Sequence, residues 1–596
     1  MSTALRQIPV LTNGESSVGK RSPRGILTLA FFIVVGFIAI AADSPPAPIA
    51  EQAAASVFSA GRAMRHVVAI SRVPHPIHSP GHDAVRDYIV GKLQEIGLTP
   101  QVQRITNADE GDGSESPLEN IVCRLPGSTH EKAILLVAHY DSVAAGPGAS
   151  DDGVAVAALL EGARALKSLP QLKRDVIFLF SDGEEAGMLG AQAFVNEHPW
   201  AHDAGLVLNF EARGTNGPSI MFETSDDNGW LISGFGRSAS HPVANSLSYE
   251  IYKRLPNDTD FSIFRQAGYS GLNFAFIGGL AYYHSPLDSI ENVSLGSLQH
   301  HGDYVLELAR QFGNAASDDP KSASLVYFDV LGRLLVRYSQ SAATFFLALT
   351  GVLLTVALFL GLKKQYVRIG ACLLGLACMV LCVGVTVVGA EAAFWFISAL
   401  QERLPAIHVG LWYHSGLYVL AFSAIGLACA MAFYSFVSKW ISSDNLTSGS
   451  LLGWFGLTIA VSVYFPGASY LFLWPLLFSL SGWIAVSLAR PTANAKSLVL
   501  GLSAVPAIVL MAPMIHKIFF AFAAHSTLIV SALLGLVFAL VIAQITQETS
   551  RRWLLPLLLA VAGTGLMVMA VIASAGDKGL PEPAVSLVNV HEALNC

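Results

Sequence analysis

The feature that most constrains this chain is a series of long apolar runs after Ala343. About 20 consecutive apolar residues suffice for a helix to cross the hydrocarbon core of a bilayer. Eight such runs can be read: Ala343–Leu362, Ile369–Val388, Gly416–Phe436, Leu451–Tyr464, Tyr470–Leu488, Ser497–Pro513, Ser526–Ala543 and Trp553–Ser574. The fourth is the shortest. Residues 343–574 are therefore expected to form an all-α multi-span transmembrane domain, because helices satisfy their own backbone groups in lipid. A ninth run, "GILTLAFFIVVGFIAIAA" (Gly25–Ala42), follows Lys20, Arg21 and Arg24. It is longer than the apolar core of most cleavable signal peptides, so it reads as a retained anchor.

Basic residues orient the spans. With residues 1–24 in the cytoplasm, the cytoplasmic loops hold Lys363, Lys364 and Arg368, then Lys439, then Arg490 and Lys496, then Arg551 and Arg552. The short outer segments between the spans and after the last hold Arg403, Lys517 and Lys578. This bias follows the positive-inside rule. It predicts a multi-pass membrane protein with residues 43–342 and the tail 575–596 on the extracytoplasmic side, in a bacterial plasma membrane or a eukaryotic organelle. Within that part, 43–55 and 315–342 read as linkers and 56–314 as a separate domain.

Residues 56–314 have ordinary globular composition. "AILLVAHY" (Ala133–Tyr140), "DVIFLFSD" (Asp175–Asp182), "GLVLNFEA" (Gly205–Ala212) and "GLNFAFIG" (Gly271–Gly278) read as buried strands. Helical patterns over Asp152–Leu169 and Ala186–His198 fall between them. The alternation predicts an α/β domain, a mostly parallel central sheet flanked by helices. The net charge of −7 and the lack of a basic stripe argue against a nucleic-acid partner. Cys372, Cys378, Cys382 and Cys429 lie in apolar runs, leaving only Cys123 and Cys596 for an aqueous space. That excludes a disulfide framework and a thiolate zinc knuckle.

Chemistry-bearing residues gather at the predicted strand ends. His139 and Asp141 end the first strand and, two apart, point to one side of it. A carboxylate beside a metal-bound imidazole fixes its orientation and tautomer. Asp151 and Asp152 follow in "GPGASDDG", Glu184 and Glu185 in "SDGEEAG", Glu211 in "NFEARG", and His284 and Asp288 in "YYHSPLDS". In open parallel sheets, ligands bind at the carboxyl ends of strands. Of two adjacent glutamates there, one can hold a metal and the other can take a proton from water. A nitrogen and oxygen donor set without thiolate suits zinc at a hydrolytic site. Singly, each motif has an ordinary explanation: a loop or N-cap aspartate, a helix-start glutamate pair, a surface histidine. Their ordered recurrence at four strand ends weighs against that. Arg213 fits either a substrate carboxylate or a nearby acid, and Tyr282 and Tyr283 fit either pocket lining or packing.

These stretches, with "NDTDF", resemble the co-catalytic di-zinc aminopeptidase family. The layout is most similar to its membrane-embedded branch, which includes the endoplasmic reticulum metallopeptidase and the vacuolar membrane protease. The resemblance covers about Arg62 to Gly313. It implies two zinc ions bridged by Asp151, with His139 and Glu211 completing one metal and Glu185 and His284 the other. It implies Glu184 as general base, Asp141 as the residue orienting His139, and Asp260 as a supporting acid. It further implies a cis peptide after Asp151. The motif Thr259-Asp260-Phe261 lacks the histidine of secreted members, and Glu211 stands where they carry Asp; both departures fit the membrane branch. The implied function is a membrane-anchored, zinc-dependent exopeptidase of aminopeptidase type, hydrolysing peptides with a zinc-bridged water. Its expected partners are peptide substrate and the lipid bilayer, with the oligomeric state, a homodimer included, left open. Alternatives are a glutaminyl cyclase-like zinc acyltransferase, which works with one zinc, and a non-catalytic membrane scaffold. A transporter ranks last, because the spans carry almost no ionisable residues.

Overall fold

The apolar runs at the centre of the α/β region form strands because both of their faces are covered, so neither face needs polar residues. The computed structural model describes residues 24–105, 118–255, 257–315, 320–400, 403–489, 491–547, 553–576 and 580–581. The segment before Arg24, together with Arg490, Arg551, Arg552, Lys578 and the tail beyond 581, lies outside the described residues.

The strands are β1 (Gln101–Ile105), β2 (Leu118–Leu125), β3 (Ala133–His139), β4 (Val176–Ser181), β5 (Ala204–Ala212), β6 (Ile220–Thr224) and β7 (Ser270–Phe276). They form one sheet in the order β1-β2-β4-β3-β5-β7-β6. The four central strands are parallel. Both edges are antiparallel. The expected mostly parallel α/β architecture is present. The helices are α1 (Arg24–Ala42), α2 (Ala60–Ile70), α3 (Pro80–Glu95), α4 (Gly153–Lys167), α5 (Leu189–Glu197), α6 (Gly229–Ser238), α7 (Ser246–Tyr252), α8 (Asp260–Gln266) and α9 (Leu295–Gly313). Along β3, Ile134 and Leu136 pack with α2, α4, α6 and α9. Leu135 and Val137 pack on the other face with Phe194 of α5 and Phe261 and Phe264 of α8. That alternation is the two-residue period of a strand. The chain leaves β3 for β4 on one side and then returns past it to β5 on the other. The reversal opens a crevice at the carboxyl end of β3.

The remaining helices are α10 (Gln340–Lys363), α11 (Ile369–Ser398), α12 (Ala406–Tyr413), α13 (Ser415–Val437), α14 (Ser443–Tyr464), α15 (Tyr470–Ala489), α16 (Ala493–Phe522), α17 (Thr527–Gln547) and α18 (Leu554–Gly576). Apart from the short α12, they supply apolar stretches long enough to cross a membrane, as does α1; α16 and α17 make one such stretch, Asn494–Val541. It breaks at Ala523, where φ is 49°. Several helices extend beyond their apolar runs; α11 continues past Val388 to Ser398. The polar start of α14 is helical because Asn445, Ser448 and Gly449 are buried. A Cβ at Gly449 would lie 2.3 Å from the Leu376 nitrogen of α11, a small-residue contact that lets two helices approach closely. α16 continues through Pro506 and Pro513 to Phe522.

Within 315–342, a hairpin of β8 (Leu325–Val330) and β9 (Leu334–Ser339) sits against the membrane helices. Phe328 stacks on Tyr470 with ring centroids 4.6 Å apart. Buried Lys517 of α16 lies 2.9 Å from Asp43 and 3.4 Å from Asp329. Ser246 Oγ donates to the Gly467 carbonyl at 2.6 Å. All these contacts involve the same ends of the membrane helices. At the opposite ends, Lys364 donates to the Ser487 carbonyl and Lys496 lies 3.2 Å from Asp444.

Candidate metal centre

The crevice at the end of β3 collects side chains from four strand ends. His139 is the last residue of β3. Its Nε2 lies 3.1 Å from Asp151 Oδ1 and 3.6 Å from Glu211 Oε2, the latter at the end of β5. His284 arrives in the loop after β7, with Nε2 3.1 Å from Asp151 Oδ2 and 3.0 Å from Glu185 Oε1. One carboxylate thus offers one oxygen to each of two His–Glu pairs. The two halves fall on opposite sides of Asp151.

Asp141 ties two strand ends together. Its carboxylate lies 3.4 Å from His139 Nδ1. It also accepts the backbone N–H groups of Glu184 and Glu185 at 3.1 and 3.2 Å. The glutamate pair sits in the turn after β4, ahead of α5, so it is not a helix N-terminus. Glu184 lines the cavity beside Asp151, Glu211 and His284. Among the described residues, no ion pair joins its carboxylate to either histidine. Asp152 is buried, and its Oδ2 accepts the His139 backbone N–H at 3.3 Å. The Asp151–Asp152 peptide is cis.

The loop between β3 and α4 has little freedom. Gly148 has φ 59°, and a Cβ there would stand 2.6 Å from the Asp151 carbonyl oxygen. Only glycine takes that conformation at that distance without cost. Buried Asp288 clamps the loop by accepting the Ser150 and Asp151 N–H groups at 2.8 and 3.1 Å. Ser181 Oγ donates to Asp260, placing that acid beneath the end of β4. Three contributors carried no local sequence signal. His301 Nε2 contacts the Glu211 carbonyl at 3.0 Å. His82 stands 2.7 Å from Asp182, which accepts the Glu119 N–H. Both pairings depend on helices meeting strands far away in sequence.

Six carboxylates (Asp141, Asp151, Asp152, Glu184, Glu185 and Glu211) surround two imidazoles. Burial opposes charge on His139, but the Glu211 charge and contacts to Asp141, Asp151 and Glu211 hold its pKa well above the ordinary value. Burial likewise opposes charge on His284, yet Asp151 and Glu185 raise it to about 10. Burial, then the Asp151 charge, pushes Glu185 up to about 7. Burial and Glu211 push Glu184 well above the usual carboxylate range. Two divalent cations would offset this surplus of negative charge. The donors are also poorly satisfied: Asp152 Oδ1 is buried without a hydrogen bond, and His284 Nε2 meets Glu185 Oε1 at 3.0 Å without hydrogen-bond geometry. His139, Asp151 and Glu185 can converge on one point, as can His139, Asp152 and Glu211. The residues present therefore fit bound metal, with Asp152 an additional donor.

Residues 120–309 match the family model described as peptidase family M28. Over that segment the chain is similar to the M28 peptidases. The matched segment contains every site residue named above from His139 to Asp288. Over 381 residues the chain is 29% identical to endoplasmic reticulum metallopeptidase 1 of Mus musculus, covering 61% of this chain and 39% of that protein. Over 275 residues it is 33% identical to the vacuolar membrane protease of Candida dubliniensis, covering 44% of this chain and 29% of that protein. The chain therefore matches about two fifths or less of these relatives' length. A solved Porphyromonas gingivalis glutaminyl cyclase aligns with a TM-score of 0.36 and 21% identity, covering 42% of this chain and 97% of that one. The matched segment is joined to apolar helices long enough to span a membrane.

Proposed function

We propose that this protein is a membrane-anchored zinc exopeptidase of aminopeptidase type, acting on the extracytoplasmic face. The observation that carries this reading is the division of Asp151, with Oδ1 toward His139 and Glu211 and Oδ2 toward His284 and Glu185. A shared carboxylate with one histidine on each side suits a two-metal centre. Bound zinc would supply Lewis acidity, acidifying water and polarising a carbonyl. The chain's own residues do the rest. Glu184 takes the proton of the attacking water and returns it to the leaving amine. Asp141 keeps the His139 ring turned toward Asp151. Asp152 fixes the end of β3 through the His139 N–H.

The direct test is an assay of detergent-purified, zinc-loaded protein on matched peptides with free and acetylated N-termini. Cleavage confined to free N-termini is expected. Cleavage confined to acetylated peptides contradicts the aminopeptidase reading, and cyclisation of N-terminal glutamine with one zinc per chain would favour the cyclase.

The Asp288 clamp has its own consequence. Asp288→Ala leaves two buried N–H groups without an acceptor, each costing about 1–3 kcal/mol. The loop carrying Asp151 should loosen, and zinc affinity should fall about tenfold to a hundredfold, as for other residues that support metal ligands. Competition against a chromophoric chelator measures this. Unchanged affinity would show that the clamp does not hold Asp151 in place.

The basic loops at Lys363–Arg368 and Lys439 support the orientation, since their helix ends lie away from the α/β domain. In spheroplasts of a bacterial host, with Cys596 first replaced by Ser, an impermeant maleimide should label Arg65→Cys and spare Lys439→Cys until the membrane is opened. The reverse pattern would place the site in the cytoplasm.

A further inference from the structure

The cavity over the metal centre is not built by the α/β domain alone. It has a volume of about 460 Å³. Asp151, Glu184, Glu211 and His284 lie in its wall. Part of that wall is the membrane helix α16, through Met514, Lys517, Ile518, Ala521 and Phe522. These positions recur at three- and four-residue intervals, so they form one face of the helix. Phe222 of β6, Ile251 of α7, Leu255 and Ile277 also line it. Lys517 does not make this wall polar, because its ammonium is committed to Asp43 and Asp329.

A second contact leads from the membrane domain to a metal-site residue. Tyr283 stacks on His284 at 3.7 Å between ring centroids. Tyr283 in turn belongs to an apolar cluster with Leu280, Trp412 of α12 and Phe522 of α16. Tyr282 meets Tyr413 at 5.6 Å. The loop that presents His284 therefore rests on membrane-domain aromatics.

We infer that α16 is a specificity element of the active site: Met514, Ile518 and Phe522 form an apolar wall that receives a large apolar side chain of the peptide beside the scissile bond. This rests on the peptidase reading above and goes beyond it. It gives the membrane domain a part in substrate selection. The reacting groups share the cavity with these apolar side chains and with Arg213 and Asp258, and its apolar surface rewards burial of Leu, Met or Phe side chains.

The test compares kcat/KM for Leu-, Phe- and Ala-aminoacyl substrates in the full-length, zinc-loaded protein. A preference ratio measured within one preparation does not depend on how much of it folds. Wild type should prefer Leu over Ala. Ile518→Trp, which fills the wall, should lower the Leu-to-Ala ratio about tenfold, the scale on which pocket volume discriminates. Ile518→Ala should shift preference from Leu toward Phe. Leu498→Trp, on an exposed face of the same helix, should leave the ratios unchanged. Ratios that move in neither Ile518 variant, while wild type hydrolyses the panel, overturn the wall and leave the peptidase reading standing. Absence of hydrolysis by every zinc-loaded form overturns the peptidase reading itself and this inference with it.

Discussion

Asp151→Ala is expected to strip the chain of both zinc ions and to lower peptide hydrolysis by about 10⁴-fold or more. The reason lies in the geometry of one carboxylate. Its two oxygens stand 3.1 Å from two different histidines, so its loss removes a donor from each half of the site. His284→Ala should behave differently. It removes a donor from one half only, leaving His139, Asp151 and Glu211 together. Elemental analysis after dialysis should find no zinc in the first variant and one ion per chain in the second. Two ions retained by Asp151→Ala would mean that this residue does not bridge.

Glu184→Gln should separate binding from turnover. The substitution keeps the size of the side chain and removes its ability to accept a proton. The side chain lines the cavity without an ion pair to His139 or His284, so the metal donors stay in place. Zinc content should remain at the wild-type value while kcat falls about 10²- to 10⁴-fold, the range over which a positioned base contributes. KM should change little. Glu185→Gln is the matched control: its carboxylate faces His284, so zinc retention should suffer first. Wild-type turnover by Glu184→Gln would remove it from the mechanism. Zinc loss in Glu184→Gln with zinc kept in Glu185→Gln would exchange the two roles.

Much of the site was legible because its geometry follows from strand ends. Strands buried on both faces are continuous apolar runs, and the first acids or histidines after them must lie on one rim. His139, Glu184, Glu185, Glu211 and His284 were readable in that way, and the structure brings them to one crevice around Asp151. The antiparallel edges were not readable. β1 is the five-residue "QVQRI", mostly exposed and polar in alternation, and resembles a loop as much as a strand. The Asp288 clamp was also hidden. Asp288 stood out as an acid on the rim, but its partners, Ser150 and Asp151, lie 138 and 137 residues away. The apolar runs marked the membrane helices well but not all their ends. Pro513 looked like a terminus, whereas α16 runs nine residues further and carries Met514, Ile518 and Phe522 to the cavity. A proline removes one hydrogen bond and can kink a helix without ending it, and neighbouring helices can support the freed backbone groups. The contribution of α16 depends on packing between two domains, for which hydropathy carries no signal.

One carboxylate, Asp151, is expected to organise two metal ions on this domain. The most direct measurement is a zinc titration of metal-free, detergent-purified full-length protein, with bound metal and peptide hydrolysis read on the same samples. Saturation at two zinc ions per chain is expected, with full activity only as the second is filled. Full activity at one ion per chain, with no second ion bound, would contradict it.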